Sequence, residues 1–253
     1  MDDYFGTPVA DPYRWMEDLD SAQVQDWVTA QNALSGPWLE SLPVRERLIE
    51  RGRELWNFER YSPPVQRGGR YFFERNDGLQ DQNVLYVTDD LERPPSVVID
   101  PNALSKDGTV SLSGYDISPD GRFVAWSASD GGTDWDVWRI RRIDRREDYP
   151  EVLRHTKFTG AAWMPDSSGF FYSRYPQGPD GTGDDSRQVR VYFHQLGTPQ
   201  SEDALVYEVT DHPSRNPYAR VTDDGQYLVL GVWESSAAAR SAVPVKLTPW
   251  NTS

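Results

Sequence analysis

The chain contains no cysteine, which excludes thiol catalysis and directs the search for a nucleophile to a serine with a histidine base. Histidine occurs only at positions 155, 194 and 212, so any mechanism with a histidine base must use one of these. A serine nucleophile of the α/β-hydrolase type sits in a G-x-S-x-G turn. Ser35, Ser113 and Ser168 are each followed by a glycine, but no serine has the flanking pair. We therefore expect no catalytic residue in this chain.

Two acidic, glycine-rich segments could in outline offer oxygen ligands to calcium, residues 130–136 and 178–185. Neither has the ligand spacing of an EF-hand, and polar surface turns have the same composition. We expect both to be solvated turns and predict no metal or cofactor. The lack of cysteine also excludes disulfides, cysteine-ligated zinc and iron–sulfur clusters.

The charge balance argues against nucleic acid and anionic membranes as partners. Asp and Glu number 40 against 26 Lys and Arg, which gives a formal net charge of −14. Binding to phosphate backbones or anionic lipids depends on clustered basic residues. No apolar stretch approaches the roughly 20 residues needed to span a bilayer, and acidic residues follow Met1 directly. We expect a cytoplasmic protein.

Residues 1–60 have a helical pattern. Apolar residues recur at helical spacing between Glu17 and Leu34, and Asp20 or Ser21 could cap the first turn. A second helix is predicted to begin at Pro43, because proline suits the first helical position. Its expected buried face is formed by Leu48, Ile49, Leu55 and Trp56. The simplest interpretation is that both helices are packing elements.

From Tyr61 onward, short apolar and aromatic runs alternate with Gly, Pro, Asp and Asn, as in antiparallel sheets. Four of these runs place an aromatic residue two positions after a glycine, and the glycines are about 50 residues apart. The four pairs are Gly69 and Tyr71, Gly121 and Phe123, Gly169 and Phe171, and Gly225 and Tyr227. In the last three an acidic pair or a Pro-Asp pair precedes the glycine. We predict a tight turn in which Asp bonds its own backbone, Gly has positive φ and the aromatic enters the core.

A period of about 50 residues with about four strands matches one blade of a β-propeller. The predicted fold is mainly β: a short helical segment, residues 1–60, followed by an incomplete propeller, residues 61–234. The length suffices for three to three and a half blades. Residues 235–253 lose the aromatic pattern, and Pro244 argues against a central strand there. For this atypical tail, out-of-frame sequence and disorder are the two alternatives.

Several longer segments resemble the prolyl oligopeptidases, a family of serine peptidases. The resemblance covers residues 3–233. The matching segments are Asp11-Pro-Tyr-Arg-Trp-Met-Glu-Asp18, Ala30-Gln-Asn32, Gly78-Leu-Gln-Asp-Gln-Asn-Val-Leu-Tyr86, Asp100-Pro-Asn-Ala-Leu-Ser-Lys-Asp-Gly-Thr109 and Leu196-Gly-Thr-Pro-Gln-Ser-Glu-Asp203.

The resemblance implies an enzyme whose seven-bladed propeller is inserted between a helical N-terminal segment and a C-terminal α/β-hydrolase domain. That domain would carry the Ser, Asp and His, so this chain would be an inactive N-terminal fragment. The partners implied are this hydrolase domain and short proline-containing peptides, which the complete enzyme cuts after proline. Phe158 resembles a propeller phenylalanine that lines the family's substrate cavity. Gly160 and Asn216 depart from the bulkier or sulfur-bearing residues expected nearby.

Two alternatives remain at this stage. The chain could be a propeller-like module that binds peptides or proteins without catalysis. It could also be a fragment of the related oligopeptidase B type, which cuts after basic residues. The segments that begin at Gly78 and Asp100 favour the prolyl type.

Overall fold

The structure is a computed structural model that describes residues 2–106, 108–176, 188–210, 212, 214–234 and 237–246, the last range and residue 2 by their backbone only. The chain divides into two compact units, Met1–Phe58 and Glu59–Ser253. Among the described residues, no helix is long and apolar enough to cross a membrane.

The first unit contains a short hairpin and two helices. Its elements are β1 (Asp2–Tyr4), β2 (Thr7–Val9), a 3-10 turn (Arg14–Met16), α1 (Ala22–Glu40) and α2 (Arg45–Trp56). The Ser21 hydroxyl accepts a hydrogen bond from the Val24 N–H and so caps α1 as predicted. Helix α2 begins at Arg45, two residues after the position predicted.

The predicted buried face of α2 is wrong within this unit. The side chains of Leu48, Leu55 and Trp56 are 63%, 58% and 63% exposed. Val24 is the one buried residue in the described part of the unit. Two helices and a hairpin provide too little surface to cover both helices, so the apolar spacing indicated the helix but not its burial.

The second unit consists of four consecutive antiparallel sheets, which we number blades 1 to 4. Blade 1 comprises β3 (Arg60–Tyr61), β4 (Val65–Arg67), β5 (Arg70–Asn76), β6 (Val84–Thr88) and β7 (Ser96–Ile99). Blade 2 comprises β8 (Ser111–Ile117), β9 (Phe123–Ser129), β10 (Asp136–Arg142) and β11 (Glu147–Thr156). Blade 3 comprises β12 (Ala162–Trp163), β13 (Gly169–Arg174), β14 (Arg190–Gln195) and β15 (Ala204–Glu208). Blade 4 comprises β16 (Arg215–Val221), β17 (Tyr227–Glu234) and β18 (Ala237–Lys246).

This architecture confirms the predicted incomplete propeller after a helical segment. In the tail, residues 237–246 form β18, which pairs with β17 only and is the edge strand of the described sheet. Pro244 is compatible with an edge, because it removes only one ladder donor.

Residues of the two inner blades, 2 and 3, pack against the blade on either side. In β9, Val124 and Trp126 join the core between blades 1 and 2, whereas Phe123 and Ala125 join the core between blades 2 and 3. The period of two along a strand therefore serves two interfaces at once. A third core, which includes Phe171 and Leu228, lies between blades 3 and 4.

The repeat corresponds to the turn between the first two strands of blades 2, 3 and 4. Asp120, Asp166 and Asp224 each accept, through Oδ1, a hydrogen bond of 3.0 Å from the backbone N–H two residues later. Gly121 and Gly225 have φ of 70° and 67°. These observations confirm the predicted Asp bond and the positive φ at those two glycines. The aromatic enters the core at Phe123, but the prediction is wrong at Tyr227, whose side chain is 39% exposed.

The third copy of the repeat is shifted relative to the prediction. Ser167, with φ of 60°, occupies the left-handed position, and Gly169 begins β13 instead. The closing hydrogen bond Met164 N–H to Gly169 O is equivalent to Ser118 N–H to Phe123 O. Gly169 therefore aligns with the aromatic of the other copies, where a side chain would collide with the backbone oxygen of His194. Phe171 is fully buried, as predicted for an aromatic two residues after the glycine. The spacing of glycine and aromatic therefore gave no sign of the shift.

Candidate functional site

A cavity of about 880 Å³ lies among the first strands of the four blades. Its wall is formed by residues 66–69 at the β4–β5 turn, the end of β8, residues 160–163 and 165 around β12, and residues 219–225 at the end of β16 and in the turn that follows it. All of these belong to the second unit.

Successive turns of the repeat touch one another and so build one side of this wall. The backbone of Gly68 packs against the backbone of Asp120, so closely that a Cβ added to Gly68 would overlap the Asp120 carbonyl group. The Asp120 N–H donates to Ser167 Oγ at 3.4 Å, which links blades 2 and 3. Gly225 packs against Pro165 and links blades 3 and 4. The geometry of the cavity therefore depends on small residues at the turns.

The cavity wall carries charges of both signs. Its ionisable side chains are Arg67, Asp116, Arg220, Asp223 and Asp224. Among the described residues that line it, none is histidine or serine. The cavity can therefore bind or guide a polar chain, but it contains no nucleophile with a histidine base.

Asp116 is the most strongly perturbed acid of the wall. Its Oδ2 accepts a hydrogen bond of 2.7 Å from the Ala161 N–H, and its backbone oxygen accepts one of 3.0 Å from Trp163 Nε1. Burial raises the pKa of Asp116 to about 6, against the opposing effects of the Ala161 bond and the Arg67 charge. The first strand of blade 2 is thus tied to blade 3 through a carboxyl group that titrates near neutrality.

Asp116→Asn should stabilise the chain above pH 6. Because the pKa is higher in the folded than in the unfolded state, the folded state loses stability as pH rises from about 4 through about 6. The amide can still accept from Ala161 but does not ionise. We expect its free energy of unfolding to exceed that of the wild type by about 1–2 kcal/mol at pH 8 and to equal it near pH 4. Urea denaturation across this pH range is the measurement, and a constant difference would contradict the assignment.

The structure places Phe158 on the loop between β11 and β12, outside the described lining of the cavity. Its side chain is 68% exposed and its φ is 50°. Gly160, two residues later, does line the cavity. Asn216 lies in β16 opposite Trp233. The role of Phe158 in substrate contact stays a prediction.

Two of the histidines are held by acidic residues without forming a triad. His194 is fully buried, with Nδ1 2.7 Å from Asp203 Oδ1. Its Nε2 has no hydrogen-bond partner among the described residues. His212 Nδ1 contacts both Ser214 Oγ and Glu234 Oε1, at 3.0 and 3.4 Å. A triad needs the serine and the acid on opposite ring nitrogens, so neither arrangement activates a serine.

Of the two acidic segments expected to be solvated turns, residues 130–136 lie within the described part of the chain. In residues 130–136, Asp130 Oδ1 accepts a hydrogen bond of 3.0 Å from Thr109 Oγ1. Across the described part of the chain, no group of three or more His, Asp or Glu side chains is placed to hold a metal ion. The segment 178–185 lies outside the described residues, and for it the solvated turn stays a prediction.

The family to which this propeller belongs follows from the match of its sequence to a family model. Residues 1–244 match the family described as prolyl oligopeptidase, N-terminal beta-propeller domain. The chain belongs to the prolyl oligopeptidase family. The match extends over the helical unit and all four described blades, and it confirms the resemblance drawn from the sequence segments.

Relatives in the prolyl oligopeptidase family are considerably longer than this chain. It is 39% identical over 231 residues to a prolyl endopeptidase of Elizabethkingia meningoseptica, an alignment that covers 90% of this chain and 32% of the relative. It is 32% identical to a dual function macrocyclase-peptidase of Galerina marginata, with 88% of this chain and 33% of the relative covered. The chain therefore spans about a third of the length of these relatives.

Solved structures of the family share the fold. Prolyl oligopeptidase B from Galerina marginata, bound to a 25mer macrocyclization substrate, superposes with a TM-score of 0.83 at 29% identity. The superposition covers 96% of this chain and 36% of that one.

The sequence did not reveal the cavity residues, although one signal was available. Asp116 and Arg220 occupy equivalent repeat positions, shortly before Gly121 and Gly225. Once the repeat turn is assigned, residues just before it belong to the end of each first strand, and in a propeller these strands face the centre.

Proposed function

We propose that this chain is the N-terminal part of a prolyl oligopeptidase-like serine endopeptidase that hydrolyses short peptides after proline. The observation that carries the proposal is the match of residues 1–244 to the family's N-terminal propeller domain. The prolyl endopeptidases among its relatives support the prolyl type over the oligopeptidase B type. The cytoplasmic location expected from the sequence stays a prediction.

The chain's part in this enzyme is to filter substrates and not to perform the chemistry. A catalytic α/β-hydrolase domain that follows the propeller would supply the Ser, Asp and His. The arrangement of the first strands around a cavity of about 880 Å³ supports a role in limiting access by size. Short proline-containing peptides would pass, and folded proteins would not.

The helical unit would pack against the hydrolase domain. The exposed apolar side chains of α2 support this, because Leu48, Leu55 and Trp56 are each more than half exposed here. The same residues explain why the sequence pattern indicates a buried face.

Phe158 would contact the peptide in this enzyme. An aromatic ring that is 68% exposed on an ordered loop offers a large apolar surface at low entropic cost. Gly160 and Asn216, where bulkier residues were expected, would leave more room beside it.

The isolated chain should not hydrolyse a proline-containing chromogenic peptide, because no serine among the described residues contacts a histidine whose opposite ring nitrogen is held by an acid. The measurement is release of the chromophore over hours at high protein concentration. Turnover that a serine-directed inhibitor abolishes would contradict the proposal.

A chimera tests the proposal in the positive direction. Residues 1–234 replace the matching part of the Elizabethkingia meningoseptica prolyl endopeptidase, to which this chain is 39% identical. We expect the chimera to cleave a short proline-containing peptide and to spare a folded protein substrate. A folded chimera without peptidase activity would refute a common function, and a chimera that binds the peptide without cleaving it would favour the non-catalytic module.

A further inference from the structure

The loop that carries Phe158 is anchored on both sides of this residue. The Thr156 hydroxyl donates to the Asp136 backbone oxygen at 2.7 Å, and the Tyr175 N–H donates to the His155 backbone oxygen at 2.8 Å. On the other side, Thr159 Oγ1 accepts from the Ser173 N–H at 2.8 Å. These bonds fix the loop to β10 and β13 and leave the Phe158 ring 68% exposed.

Two residues of this loop have a left-handed backbone conformation, which is unfavourable for residues other than glycine. Phe158 has a φ of 50° and His155 a φ of 61°. A left-handed conformation costs a non-glycine residue roughly 1–2 kcal/mol, so surrounding contacts must hold it. The hydrogen bonds above hold the flanking residues, but none of them involves the residue that directly precedes Phe158.

Lys157 provides that remaining contact. Its Nζ lies 4.1 Å from the centroid of the Trp135 ring and 5.9 Å from that of Tyr175. The two rings pack edge to face with centroids 5.4 Å apart, and Tyr175 is buried. An ammonium at this distance from a tryptophan face is attracted by the ring's electron density. Lys157 is therefore held on this aromatic pair, while its neighbour Phe158 is 68% exposed.

We propose that Lys157 is a positioning residue for Phe158: its ammonium, held on the Trp135 ring, fixes the loop in the conformation that presents the Phe158 ring to an apolar part of a peptide. The peptide contact rests on the proposed function, whereas the anchoring of the loop does not. Trp135 and Tyr175 act through Lys157 and need not touch the peptide.

Native-state proteolysis of the chain of residues 1–253 tests the anchoring. Chymotrypsin cuts after an accessible aromatic residue only when the backbone around it opens, so its rate at Phe158 reports loop opening. Lys157→Met keeps the length of the side chain without the charge, and we expect it to speed cleavage after Phe158 about tenfold. Lys157→Arg keeps a cation and should remain within about twofold of the wild type. Cleavage after Tyr13, in the other unit, is the internal reference.

A second variant removes the same contact from the side of the tryptophan ring. Trp135→Leu should speed the same cleavage to a similar extent, and the double variant should be no faster than either single one, since both remove one interaction. Equal rates for Lys157→Met and the wild type, or fully additive effects, would overturn the proposal.

Peptide binding is measured separately by fluorescence anisotropy with a labelled proline-containing peptide. Weaker binding by both Phe158→Ala and Lys157→Met, with restoration by Lys157→Arg, is expected. Binding that Phe158→Ala leaves unchanged would overturn the peptide contact, while the cleavage rates alone decide whether Lys157 holds the loop.

Discussion

Gly169→Ala is expected to lower the free energy of unfolding of the propeller unit by about 3 kcal/mol. A Cβ at this position would overlap the backbone oxygen of His194 and come within 2.7 Å of Phe193 Cζ and 3.1 Å of Gln195 Cα. The collision is with the paired strand β14, and backbone in the middle of a sheet cannot rotate away as a side chain can. Urea denaturation followed by tryptophan fluorescence measures the loss.

Gly114→Ala is the matched control for this prediction. Gly114 also lies in a strand of the same unit, but its added Cβ would meet Ser127 Oγ at 3.6 Å, an ordinary contact. We expect a change of no more than about 0.5 kcal/mol. If Gly169→Ala were as stable as Gly114→Ala, the close approach of β13 and β14 at this point would be wrong.

Asp203→Ala is expected to cost about 3–5 kcal/mol of stability, because it leaves the buried His194 ring without its hydrogen-bond partner and the Tyr172 hydroxyl with only the bond that it accepts from Gln200 Nε2. Asp203 Oδ1 lies 2.7 Å from His194 Nδ1, and its Oδ2 accepts a bond of 2.5 Å from the Tyr172 hydroxyl. The side chains of His194 and Asp203 are fully buried. Burial, followed by the Asp203 charge, raises the pKa of Tyr172, so the phenol stays protonated and donates. The measurement is again the free energy of unfolding at neutral pH.

Tyr172→Phe separates the two interactions of Asp203. It removes only the hydroxyl group and leaves the ring and the contact of Asp203 with His194, so a loss of about 1 kcal/mol is expected. An Asp203→Ala variant that loses no more than Tyr172→Phe would show that His194 does not depend on this carboxylate.

Local chemistry was the part of this structure most accessible from sequence. The Asp side chains of the repeat turns bond an N–H only two residues away, so the residues that form the turn also specify it. The same holds for Ser21 at the start of α1. The third copy shows the limit of prediction from local chemistry. Ser167 occupies the left-handed position predicted for a glycine, and Gly169 has no room for a side chain because the paired strand β14 packs against it.

The contacts of the candidate site could not be predicted in this way. Asp116 and Ala161 are 45 residues apart, and the Trp163 Nε1 that donates to the Asp116 backbone oxygen is 47 residues away. The repeat places Asp116 near the end of a first strand, but it does not show that this carboxyl group is buried. Its burial depends on how closely blade 3 packs against blade 2, which is a property of the interblade core.

The sequence by itself determined the mainly β class, the helical start, the repeat of about 50 residues and the family resemblance, since periodicity and turn residues act over short distances. Only the tertiary structure decided which strand faces the cavity, which acid is buried, and that the apolar face of α2 is exposed within its unit. These features depend on contacts between residues far apart in the chain, and burial is a property of the assembled surface rather than of any one segment.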